Sequence, residues 1–221
     1  MDFENTESQK SNQRSIISRR GLIMGGMVVG GATALSLPMI GEKADAGSLS
    51  SIKRSDVKVL NNALYYEHQA IWAYSFAAGK LTNTEVGKAV LALALRNQAD
   101  HKKHRDTIAA AVKSLGGTPV KAQSQYDVSS YIKRGEGNID SDINIAKLAL
   151  ALETDAAIAY TAEAAKLKTP KLITVGASIG ATESTHAAAI RATFKALGVN
   201  IEIVPAAFVS AENRDAWILK V

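Results

Sequence analysis

Apolar residues recur at three- and four-residue spacing through four long stretches of the chain, and this spacing predicts four amphipathic helices. The first covers about 55–80, with Ser55 as its expected N-cap. The second covers about 84–115 and stops at Gly116-Gly117. The third covers about 142–167, after Asp140-Ser141-Asp142, and the fourth starts near Pro170, a favourable first-turn residue, and ends at Gly198. The short segments LTNT (81–84) and KTPK (168–171) turn the first helix into the second and the third into the fourth. A longer connection, 118–141, holds Tyr126, Tyr131, Gly135 and Gly137 and reads as an ordered crossover. The tail, 199–221, is expected to wrap the bundle through Phe208, Trp217 and Ile218.

Polar residues interrupt the apolar stripes at matching places. LYYEHQAIWAY (64–74) aligns with LALETDAAIAY (150–160), so that Glu67 meets Glu153 and Tyr74 meets Tyr160. HRDTIAAAVKSLG (104–116) aligns with HAAAIRATFKALG (186–198), so that His104 meets His186 and the Leu-Gly ends coincide. The chain therefore reads as two repeats of one helix hairpin. In an antiparallel hairpin, residues at one height lie symmetrically about the turn. Glu153 and the Glu183/His186 pair are centred on KTPK, and Glu67 and the His101/His104 pair are centred just past LTNT. Two carboxylates and two short polar pairs are thus expected at one level of the bundle. A carboxylate on an otherwise apolar helix face is costly unless something positive sits against it. At a spacing of three, Glu183 and His186 share a face, as do His101 and His104. His68, next to Glu67, is expected to point about 100° away.

Composition narrows the chemistry. Hydrophobic residues make up 47% of 221 and aromatics 5%, which suits a packed helical domain. There is no Cys, which excludes disulfides, thiolate nucleophiles and Cys-ligated metal centres. The net charge is +5, but the basic residues are scattered along helical segments without interleaved aromatics, so nucleic acid is not expected as a partner. Near the N-terminus, Ser18-Arg19-Arg20 with Leu22 and Ile23 resembles a twin-arginine export signal. A moderately apolar, Gly-containing run follows, and Ala44-Asp45-Ala46 supplies small residues at the cleavage positions. The expected organisation is a signal peptide over 1–46, cleaved after Ala46, and a mature domain over 47–221. The product would be periplasmic or otherwise exported, with no stable membrane insertion after cleavage. An uncleaved anchor over 21–40 is the competing reading.

Glu67, Glu153, Glu183-x-x-His186 and His104 together resemble the ferritin-like superfamily, especially its bacterial members exported by the twin-arginine route. In such bundles one Glu comes from each of two helices and a Glu-x-x-His from each of the other two. The resemblance covers about 55–198. It implies an all-α fold, a ferritin-like four-helix bundle of two repeated hairpins with a long crossover between the second and third helices. It also implies a dinuclear site for iron or manganese, with Glu67, His101, His104, Glu153, Glu183 and His186 as metal ligands and a di-metal oxidoreductase or metal-handling role. A homo-oligomer is compatible with it. The departure is His101, where the family pattern has Glu. Three carboxylates and three imidazoles would suit copper or zinc as well. Gln98-x-x-His101 is an alternative register, and Asp100 could restore a carboxylate through a small helix rotation. A degenerate or single-metal site in a non-enzymatic envelope protein is the other reading open at this point.

Overall fold

A computed structural model describes residues 46–221, and the expected export signal lies outside the described residues. Helix α1 covers Ala46–Ala78, α2 Glu85–Ser114, α3 Ser129–Lys133, α4 Asp142–Ala164, α5 Pro170–Ala196 and α6 Arg214–Trp217. The four long helices form the expected bundle, with α1 packed along α2 and α4 along α5. Among the described residues there is no strand, and no helix is long and apolar enough to cross a membrane.

Local chemistry sets most of the helix ends. The Thr84 hydroxyl accepts from the Gly87 N–H, and the Ser141 hydroxyl accepts from the Asn144 N–H, each capping an N-terminus. Asp142 lies in the first turn of α4 and also accepts from the Thr82 N–H at 2.9 Å, so the first hairpin turn is tied to the start of the second hairpin. Pro170 opens α5. Ser55 does not cap α1, which passes through it and begins at Ala46. The neighbouring Asp56 is fully buried instead. Its carboxylate accepts from the Lys168 and Thr169 N–H groups and the Thr169 hydroxyl, fixing the α4–α5 turn on α1.

Two apolar layers fill the bundle. Leu60, Leu64, Ile108, Val112, Tyr160 and Ile179 pack at one end, and Val90, Leu150, Ala187, Ile190, Phe194 and Trp217 at the other. Each large side chain buried in this way contributes about 1.5–3 kcal/mol. The stretch between the layers is polar, and there the predicted site residues meet.

The tail closes over the second layer through Trp217 and Ile218, which are buried. The buried Arg191 guanidinium donates to the backbone carbonyls of Glu202 and Trp217 and holds the tail on α5. Phe208 departs from expectation: the residue is 72% exposed, and its carbonyl rather than its ring is used, accepting from Trp217 Nε1 at 2.9 Å. The crossover is pinned at Gly137, which has φ +119°, and an added Cβ there would lie 2.2 Å from the Leu148 backbone nitrogen. Beside it, buried Glu136 receives Arg214 through two hydrogen bonds of 2.8 and 2.7 Å and Arg134 at 2.8 Å, while Arg214 also holds Asp155.

This clamp makes stability depend on pH. Hydrogen bonds from Arg214, foremost, and Arg134 outweigh burial and lower the Glu136 carboxyl from 4.5 to about 2. The stabilisation is therefore present in full above the ordinary glutamate range and is lost as pH falls from about 4.5 toward 2. Glu136→Gln is expected to cost about 3–5 kcal/mol at neutral pH. It should also flatten the acid limb of a plot of denaturant midpoint against pH, and an unchanged limb would refute the assignment.

Candidate metal centre

Each long helix delivers its polar residues to one level. Glu67 comes from α1, His101 and His104 from α2, Glu153 from α4, and Glu183 and His186 from α5. All six predicted residues converge. Glu67, His101, Glu153, Glu183 and His186 are each at most 5% exposed. The donor atoms form two groups, Glu67–His101–His104–Glu183 and His101–Glu153–Glu183–His186, within each of which the atoms lie within 4.8 Å of one another. His101 and Glu183 belong to both groups.

His101 is central rather than peripheral. Its Nδ1 is 2.9 Å from Glu67 Oε2, and its Nε2 is 3.2 Å from Glu153 Oε1 and 3.7 Å from Glu183 Oε2. His104 Nδ1 is 2.9 Å from Glu183 Oε1. His186 Nδ1 is 3.2 Å from Glu153 Oε2 and 3.1 Å from Glu183 Oε2. The competing registers are not used. Gln98 turns to the Ile71 carbonyl and the Ser75 hydroxyl. Asp100 stands behind His186, 3.4 Å from its Nε2, and pairs with Arg96 on its other side. An Nε2–H directed at Asp100 leaves Nδ1 facing the carboxylates, the arrangement in which an imidazole presents a lone pair to a cation. His68 points away, as expected, with its Nε2 3.2 Å from the Val120 carbonyl.

Spacing did not reveal the part played by the two tyrosines. Tyr74 of α1 donates to Glu153 of α4, and Tyr160 of α4 donates to Glu67 of α1. The two bonds cross the bundle reciprocally. Asn97 adds its amide to Tyr74 Oη at 3.1 Å. On α5, Gly180 leaves Tyr160 its place, since a Cβ there would lie 3.1 Å from the Tyr160 Cβ. Burial and the charge of Glu153 raise the Tyr74 hydroxyl well above its ordinary value, and burial and Glu67 do the same for Tyr160, so both remain neutral donors.

Charge is distributed unevenly. Burial, with Glu153 adding to it, raises the Glu183 carboxyl. Burial also opposes ionisation of Glu153, but His101 and His186 outweigh it and hold that carboxyl well below the usual range. Burial disfavours imidazolium at both histidines, yet the carboxylates raise His101 well above its ordinary value and push His186 up to about 10. In metal-free protein, protonated imidazoles thus supply the positive charge that buried carboxylates require.

One pair is left over. His104 Nδ1 and Glu183 Oε1 are 2.9 Å apart, yet both are buried without a hydrogen bond of acceptable direction. Two ligands about 2.1 Å from one cation and at right angles to each other are about 3.0 Å apart. An orphaned nitrogen and oxygen at this separation, among carboxylate and imidazole donors, fit a divalent metal.

In a structural comparison the chain matches the crystal structure of a conserved hypothetical protein from Mycobacterium tuberculosis with a TM-score of 0.56 and 21% identity, covering 71% of this chain and 99% of that one, which is a likeness of fold. Comparison with curated protein sequences gives no match. The sequence model of the ferritin-like domain matches residues 55–196, a span that contains all four long-helix contributions to the cluster. The chain belongs to the ferritin-like domain family.

Proposed function

We propose that this chain is an exported metal-binding protein, whose two hairpins form an internal repeat around a dinuclear iron or manganese site that handles metal or oxidants. The observation that carries the reading is the pair of overlapping donor groups sharing His101 and Glu183. Glu67 and His104 would hold one cation and Glu153 and His186 the other, with Glu183 reaching both. Such a centre, when bound, supplies Lewis-acid and redox chemistry. The chain's own residues bind, orient and exclude. Tyr160 fixes one oxygen of Glu67 and leaves the other to His101, while Tyr74 fixes the Glu153 oxygen that also faces His101 and leaves the second to His186. Asp100 orients His186. The apolar layers on either side keep water from the buried carboxylates.

His101 favours a second reading, a single-metal or degenerate site in a non-enzymatic envelope protein. Its ring stands between Glu67 and Glu153, where a protonated imidazole can take the place of a cation. Elemental analysis of protein purified from its own host separates the two. About two equivalents of iron or manganese support the dinuclear reading, one supports the second, and copper or zinc would point to the nitrogen-rich donor set.

Metal binding should also appear as stability, because the donor set exists only in the folded chain. Adding Fe²⁺ or Mn²⁺ to metal-free protein is expected to raise its melting temperature by several degrees. Glu153→Ala and Glu183→Ala should abolish that rise while keeping the helical circular dichroism. A wild-type melting temperature indifferent to both metals would sink the proposal.

Export is tested separately. Cleavage after Ala46 would remove only the first residue of α1 and leave the other long helices intact. Replacing Arg19 and Arg20 with Lys is expected to stop accumulation of an exported form beginning at Gly47, read by fractionation and N-terminal sequencing. Undiminished export of the double variant would rule the signal out.

A further inference from the structure

A void lies beside the cluster, between α1 and α4 and under the crossover, with a volume of about 250 Å³. Its walls are Trp72 and Phe76 from α1, Tyr131 from α3, and Ile145, Leu148 and Leu152 from α4. The space exists because the facing helix surfaces carry Ala70 and Ala73 on one side and Ala156 and Ala159 on the other. At its inner end are Tyr74, His101 and Glu153. At its rim, Tyr66 and Ile139 are 49% and 38% exposed.

We infer that this cavity is a binding site for a neutral, largely hydrocarbon molecule of about ten non-hydrogen atoms, scaling from the cavity of about 150 Å³ that takes up benzene. Polarity argues for neutrality. Three polar groups of the wall already have partners: Gln69 donates to the Asp127 carbonyl, Asp155 is held by Arg214, and Tyr74 donates to Glu153 while accepting from Asn97. A charged ligand would find no counter-ion free, and water would find few anchors on aromatic and aliphatic walls. Shape argues for a small molecule. Three segments of the chain surround the space, and its deep end stops at buried side chains of the bundle interior. An occupant would lie against the Tyr74 ring and the cavity-facing sides of His101 and Glu153, two members of the cluster. The inference does not rest on that cluster holding metal.

Trp72 in the wall makes the test direct. Bromine quenches an indole that it touches, so 4-bromotoluene, neutral and near the required size, is titrated against the full-length protein while tryptophan emission is followed. Saturable quenching at one equivalent is expected, at least 10-fold weaker with 4-bromobenzoate, which has similar bulk and a negative charge. Ala156→Phe fills the void from α4 and should weaken 4-bromotoluene binding by at least 10-fold with unchanged helical content. If that variant unfolds, Ala73→Leu fills the void from α1 instead. Quenching that rises linearly without saturation, equal affinity for the carboxylate, or unaltered binding in the cavity-filling variant would each overturn the inference. Repeating the titration on chelator-treated and metal-supplemented protein keeps the two readings apart. Loss of metal uptake with retained 4-bromotoluene binding counts against the metal reading alone, and the converse counts against the cavity alone.

Discussion

Three carboxylates in the middle of a helical bundle constrain everything around them. Glu67, Glu153 and Glu183 are nearly inaccessible to solvent, and each would be expensive as an isolated ion. The fold answers with three imidazoles, two tyrosine hydroxyls and one amide aimed at the same small volume. That answer works only if four helices arrive in register. A shift of one residue turns a side chain by about 100°, and a shift of one turn moves it by about 5 Å. The caps at Thr84 and Ser141, the start at Pro170 and the Asp56 anchor under the second turn are therefore part of the site's construction, although none of them touches it.

The tyrosines add a constraint of a different kind. A carboxylate has two oxygens and can rotate between partners. With Tyr160 on one oxygen of Glu67 and Tyr74 on one of Glu153, rotation would break a buried hydrogen bond. Each hairpin thereby locks the acid of the other. Asp100 does the same for the His186 ring from outside the cluster.

Much of this was legible in the sequence because it is local. Helix ends written by Thr, Ser, Pro and Gly fell within a few residues of their places, and the six cluster residues followed from matched spacing in the two halves. Ser55 was misread because a serine within a helix looks like a serine at its start, and only Asp56's partners in the distant turn explain why this segment matters. Phe208 was misread because hydrophobicity says that a ring can be buried without saying that it is. The central position of His101 and the tyrosine–glutamate bonds depend on rotamers chosen across the bundle, which periodicity does not encode. The cavity between α1 and α4 is a lack of atoms, and alanines in a helix do not announce what stands opposite them.

The connection between α2 and α4 is the sole covalent link between the two hairpins, and its Glu136 end is clamped to Arg214 and thus to α4 through Asp155. Each donor group draws on both hairpins, the first with Glu67, His101 and His104 against Glu183, the second with His101 against Glu153, Glu183 and His186. The cluster is therefore an interface as well as a site, and the chain behaves as a tethered heterodimer whose subunits are joined head to tail. Whatever tightens the cluster raises the effective affinity of one hairpin for the other, and whatever pries the hairpins apart weakens the cluster by the same free energy.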